Sequence, residues 1–184
     1  MNNLFGQLYL DLSNHLKTAV PSLRWIDQDF GQLEVFEYRP AVAFPCALID
    51  FAQANFSNMA ELAQMADLNI TIRIGFAPFS AANSLAPMDV REKALEYYNM
   101  EQLVYEAVQG WQPSFEGNIY AQPFIRVSSQ TEQRLSASGT QDANGLRVRV
   151  LLFNTQLEDY TAVTKYASHA AALEIEQELD LPLP

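Results

Sequence analysis

The sequence predicts an α+β fold, a single domain (residues 1–184) in which two main helices pack on a sheet that is antiparallel, or mixed at most. Three observations carry this. Leu68, Ile70, Ile72, Ile74 and Phe76 alternate strictly with Asn69, Thr71, Arg73 and Gly75, the period of a strand with one buried face. A nearly continuous apolar run follows Pro45, A-L-I, and closes at Asp50, as a short buried strand does. Apolar stripes at spacings of three and four mark helices over 4–19 and 89–108.

The elements follow in order. Over 4–19, Leu4, Leu8, Leu12, Leu16 and Ala19 form one face, widened by Phe5, Tyr9 and Val20, and Pro21 stops the helix. Residues 23–38 hold two short β-prone pieces around Gly31, and strands are expected at 42–56 and 68–76. The linker 57–66 reads equally as a helical turn, with Asn58 and Glu61 as a cap, or as a polar loop between strands. Small residues from Pro78 to Pro87 make a loop, after which Asp89 and Glu92 form a capping box for a helix to about Val108, ending near Gly110. Strands are expected at 119–128, where Pro123 points to an edge or a bulge, and at 146–155. Between them lies a long polar hairpin loop, 129–145, closed by the turn signal Asn144-Gly145. Residues 162–184 read as a peripheral C-terminal extension, rich in Ala and Glu.

Bulk properties narrow the function classes. With 49% hydrophobic residues, 184 residues are enough to bury a core without disulfides or metals. A single cysteine, Cys46, excludes an intrachain disulfide framework and makes a reducing cytoplasm the default. No apolar stretch is long enough to span a bilayer and no signal-peptide pattern opens the chain, so neither membrane insertion nor secretion is expected. The net charge of −11, spread along the chain, argues against a protein that grips nucleic-acid phosphates.

Few residues suggest chemistry. The chain lacks the dinucleotide, P-loop and nucleophile-elbow motifs. Its two histidines, His15 and His169, have no partner at metal-ligand spacing and read as surface or partly packed residues. Asp27 and Asp29 could act as paired carboxylates with Asp50, near Trp25 or Tyr38. That is the alternative reading, a small α+β enzyme or ligand-binding protein. Flanking a turn at Gly31, Asp27 and Asp29 are better explained by local hydrogen bonding. No catalytic, cofactor-binding or metal-ligating residue is assigned. Arg126, Arg134, Arg147 and Arg149 form the basic concentration of the chain. A solvated strand face explains it; the rival reading is a subunit interface with the acidic helix face carrying Glu92, Glu96 and Glu106.

The succession of an amphipathic helix, then L-R-W-I-D-Q-D-F-G-Q-L (23–33), F-P-C-A-L-I-D-F (44–51) and A-Q-M-A-D-L-N-I-T-I-R-I (63–74) resembles small phage and prophage structural proteins. With L-R-V-R-V-L-L-F-N-T (146–155) it is similar to the tail-completion or tail-terminator class typified by the phage lambda tail terminator. The resemblance covers about residues 4–160 and rests on pattern and element order. It implies an α+β subunit, not an enzyme, that forms a homo-oligomeric ring at the end of a tail tube or at the head–tail joint. Its partners would be other copies and tail-tube or neck proteins, with DNA only as passing cargo. Such a subunit is made in the bacterial cytoplasm and ends in the virion, and it needs no cofactor.

Overall fold

The computed structural model describes residues 3–34, 42–60, 62–77, 83–115, 118–132 and 146–163. Helix α1, Leu4–Ala19, begins where the Asn3 side chain accepts a hydrogen bond from the Gly6 N–H, and buries Leu8, Leu12 and Leu16. Its last bond runs from Val20 N–H to the Leu16 carbonyl, just before Pro21.

Strands β1 (Trp25–Gln28), β2 (Cys46–Ala60), β3 (Ala63–Phe76), β6 (Ile125–Thr131) and β7 (Arg147–Asp159) form one sheet in the order β1-β2-β3-β7-β6. β1 and β2 are parallel and, among the described residues, the other pairs of this sheet are antiparallel, so the sheet is mixed. Strands β4 (Ser114–Phe115) and β5 (Asn118–Ile119) make a separate small hairpin.

The alternation in β3 does what the sequence predicts, in the centre of the sheet. Ile70, Ile72 and Ile74 are fully buried beneath both helices, in one cluster with Leu8, Leu12 and Leu16 of α1 and Met100, Val104 and Val108 of the later helix. On the opposite face, near the start of β2, Leu33, Cys46, Leu48 and Val148 form a small second cluster. Gly75 lies opposite Cys46, and a Cβ there would stand 2.7 Å from the Cys46 sulfur. Only glycine lets β3 pass this close.

Three expectations change. The ambiguous linker 57–66 is neither a helical turn nor a loop. It is the tip of a long β2–β3 hairpin in which Ser57, Asn58 and Ala60 pair with Met65, Gln64 and Ala63. Burial of Ala63 and Ala66, and pairing of β3 with β7 as far as Gln64–Asp159, hold it extended. The helix expected over 89–108 is two, α2 (Met88–Ala94) and α3 (Glu96–Val108), which break at Leu95. The Asp89–Glu92 box does not form: the cap position is Pro87, without a side-chain cap bond, and Asp89 lies inside the first turn. There its carboxylate still complements the helix dipole. Finally, the strand expected at 119–128 is interrupted. Tyr120 N–H reaches Pro113, Ala121 bridges to Leu157, and β6 starts only after Pro123. Pro123 has no N–H to give a ladder, and β6 is indeed an edge strand with a bulge between Arg126 and Ser128. The 133–145 part of the polar loop, and 164–184 of the C-terminal extension, lie outside the described residues.

The burial of Cys46 gives a direct test of the second cluster. Burial pushes its thiol up to about 11, against weaker lowering by the Gly75 backbone and by Arg73. An unfolded thiol ionises near ~8.5, so above that pH the unfolded chain loses a proton that the native state retains. Stability therefore falls as pH rises from about 8.5 towards 11. A Cys46→Ala variant is expected to flatten that alkaline limb. Ellman's reagent at pH 8 should react with Cys46 only once denaturant is added; rapid native labelling would place the thiol at the surface.

Candidate functional site

Among the described residues, two ion clusters sit on opposite faces of the sheet. On the face away from the helices, Arg73 of β3 is held by three carboxylates. Its Nη1 donates to Asp29 Oδ2 at 2.8 Å and lies 2.6 Å from Glu34 Oε1. Its Nε and Nη2 reach both oxygens of Glu132 at 2.8–3.0 Å. Burial would lower the guanidinium pKa, but the Asp29 hydrogen bond and the three negative charges reverse that and raise it. One arginine thus ties the centre of the sheet to the turn after β1 and to the residue that follows β6.

That turn is built locally. Asp29 Oδ1 accepts the Gly31 N–H, Gln32 Oε1 accepts the Phe30 N–H, and Gly31 adopts a φ of +79° that side-chain-bearing residues avoid. Asp29 therefore has the turn role expected of it and, in addition, an ion pair with Arg73. Asp27 accepts the neighbouring Gln28 N–H at 2.8 Å. Asp50 is exposed on β2, and Trp25 is exposed at the start of β1. Tyr38 lies outside the described residues.

On the helix face, Arg149 of β7 donates to Glu101 of α3 from Nε at 2.6 Å and from Nη2 at 2.8 Å. It also donates to the hydroxyls of Ser129 and Thr131, and Ser129 makes a short hydrogen bond to Glu101. Burial raises the Glu101 pKa, but the Arg149 and Ser129 donors outweigh it and hold the carboxyl below its usual range. Arg147 stacks 4.2 Å from the centre of the Tyr97 ring, and Arg126 3.6 Å from that of Tyr105.

The basic strand is therefore not a solvated face. Arg147, Arg149 and Leu151 do share one side of β7, as the alternation implies, but that side carries α3. The carboxylate that pairs with Arg149 is Glu101, whereas Glu92, Glu96 and Glu106 are exposed, Glu106 accepting from Gln102. Arg134 lies outside the described residues. His15 is packed, with its Nε2 2.7 Å from the Ala107 carbonyl and its ring stacked on Trp111. His169 lies outside the described residues.

Arg73, Glu101 and Glu132 were not singled out from the sequence. Arg73 occupies a polar position in an alternating strand, where a solvated side chain is the ordinary outcome. Its only sequence signal is that the surrounding strand is otherwise almost free of charge. Its three carboxylates come from residues 44, 39 and 59 positions away (73 − 29, 73 − 34 and 132 − 73).

Beyond the clusters, the far half of the sheet presents a carboxamide-rich face. Asn154 donates to Asp67 and Asn69 at 2.6 and 3.2 Å, and Gln53 donates to Asn55. No group of three or more histidine, cysteine or acidic residues positioned to hold a metal ion occurs among the described residues. No helix among them is long and apolar enough to cross a membrane. No protein-family model matches the chain, and no curated protein matches it.

Proposed function

We propose that this chain is a non-enzymatic structural subunit of a phage or prophage virion, acting as an oligomeric ring that terminates or completes the tail, or joins it to the head. The observation that carries the reading is spatial. Three of the segments bearing the resemblance, 23–33, 44–51 and 63–74, fold into one unit: β1, the start of β2 and β3 lie side by side, with the turn after β1 fastened to β3 through Arg73. The resemblance thus falls on one structural unit and not on scattered pieces.

The chemistry supports the same reading. The ion pairs of Arg73 and Arg149 brace the fold, and the chain's −11 charge keeps DNA from adhering to a channel through which it must slide. The proposed partners are further copies of the chain and tail-tube or neck proteins, with DNA as cargo only. The proposed location is the bacterial cytoplasm during assembly and the virion tail or neck afterwards. Arg126, Arg134, Arg147, Glu92, Glu96 and Glu106 remain proposed contact residues, whereas Arg149 is engaged by Glu101.

The test is deletion of the gene from the phage or prophage genome that carries it, with electron microscopy of the induced lysate. Unjoined heads and tails of irregular length are expected, restored by the gene in trans. Normal particles from the deletion would refute the assignment. The polar loop is tested in the same assay. Because β6 runs to Thr131 and Glu132 pairs with Arg73, the replacement must begin at residue 133 and not at 129, where the expected loop began. Exchanging residues 133–144 for a short glycine-containing turn is expected to leave the melting temperature within about 3 °C, roughly 1 kcal/mol for a chain this long, while tail completion is lost. A shortened chain that completes tails would remove the loop from the mechanism.

A further inference from the structure

We infer that copies of this chain join edge to edge, the β6 edge of one copy adding as a strand to the outer half of the β2 edge of the next. This rests on the ring reading above and names its contact.

An open sheet edge is a row of unpaired backbone donors and acceptors, and the occupant that satisfies it is another strand. β1 covers β2 only from Cys46 to Ile49, so beyond Phe51 the outer side of β2 has no strand beside it among the described residues. Between the two register shifts of β2, residues 53–58 form a regular stretch, Gln53 opposite Asn69 through Asn58 opposite Gln64. Two of the usual guards are missing, since residues 51–60 contain no proline and no charged side chain, and the two register shifts bound the stretch without interrupting it. In a chain of net charge −11, such an uncharged edge is where a second acidic copy can approach without repulsion.

The other end of the sheet matches. β6 is the opposite edge, and its residues 127–131, V-S-S-Q-T, are likewise uncharged and exposed. Each edge bears an exposed apolar side chain, Phe56 at 46% and Val127 at 59%. In β1, by contrast, the backbone groups of Gln28 are taken locally: its N–H donates to the Asp27 side chain and its carbonyl accepts from Gln32.

Strand polarity selects a second copy as the occupant. β2, β3, β7 and β6 alternate strictly, so the next copy's β2 placed beside β6 continues the alternation without inverting the molecule. Contact of this kind is head-to-tail, the type that generates rings. β6 lies level with residues 47–50 of β2, through Thr131–Arg149–Ile74–Ala47 and Ser128–Leu152–Thr71–Asp50. Reaching 53–58 beyond β1 therefore needs a stagger of about six register steps, roughly 20 Å. Against a four-strand repeat of roughly 19 Å this tilts the strands by roughly 45°, within the range of closed sheets.

The experiment measures mass by light scattering for the wild type, Phe56→Glu, Val127→Glu and a one-to-one mixture of the two variants, at rising concentration. The wild type is expected to exceed the 20.7 kDa protomer several-fold. Each variant alone should remain a protomer, because assembly would bury its carboxylate in one of its two edges; Val127→Glu should melt like the wild type and Phe56→Glu slightly lower, since the Phe56 ring also packs edge-on against Phe5 of α1. The mixture should stop at two protomers, since only one productive pair of edges remains. A wild type that stays monomeric to millimolar concentration overturns the proposal. So does a Val127→Glu chain that still assembles, which would mean that β2 edges pair with each other. Should either variant fail to fold, amide exchange in the wild type decides. Protection at 53–58 and 127–131 must rise at least tenfold on assembly, and assembly without it overturns the contact. Rings that form through these edges yet leave tails incomplete would retain the contact and refute the tail assignment.

Discussion

Replacing Ile72 with aspartate is expected to abolish folding at ordinary temperature. Ile72 is fully buried in the middle of the central strand, among Ile70, Ile74 and the leucines of α1. The substitution removes an apolar side chain whose loss alone costs about 2–5 kcal/mol, and it puts a carboxylate where no described cation faces it. Burying an unpaired charge adds several kcal/mol more. The sum reaches the total stability of an ordinary domain, about 5–15 kcal/mol. The check is solubility and a urea melt beside Ile72→Val, which should cost only about 1 kcal/mol. A soluble Ile72→Asp chain with an unchanged midpoint would mean that this face of β3 is not the core.

Arg73→Ala is expected to be the second most damaging change, destabilising by about 3–5 kcal/mol, the range for removing one member of a buried ion pair. For a chain of this length that lowers the melting temperature by on the order of 10 °C. The cost comes mainly from Asp29 and Glu132, whose side chains are 10% and 28% exposed; Glu34, at 47%, is screened by water and contributes little. Arg73→Lys should recover only part, because an ammonium cannot make the two-pronged bond to Glu132 while also reaching Asp29. Combining Arg73→Met with Asp29→Asn and Glu132→Gln should restore most of the loss, since neutral groups no longer face an absent cation. Thermal melts of the set decide it. If Arg73→Ala melts like the wild type, the cluster is not structural. If it melts normally and a catalytic turnover disappears, Asp29 belongs to an active site.

The contrast between these two residues, neighbours in one strand, shows what could be read in advance. Ile72 was legible because burial of an apolar face leaves a period of two in the sequence, and a single strand contains the whole signal. Arg73 was not, because its position is also the ordinary place for a solvated side chain and its partners are long-range. The same division holds elsewhere. The first helix was legible to its ends, since a leucine stripe and a following proline are local facts. The β2–β3 tip was not, because short segments containing Asn, Met and Ala have weak preferences, and its extended form depends on pairing with β7. Arg149 was noticed as basic, but its carboxylate, Glu101, became visible only when α3 docked on β7.

By itself the sequence determined the fold class, the central strand and its buried face, the first helix, the isolated thiol, the acidic character of the chain and the resemblance that suggests its function. All of these depend on composition or on patterns within a few turns or strands, where the chemistry of neighbouring residues suffices. The tertiary structure alone decided the strand order, the parallel first pair, the capture of Arg73 and Arg149, and which edges of the sheet carry no further strand among the described residues. Those are contacts between residues tens of positions apart, and their geometry exists only after the core has brought the elements together.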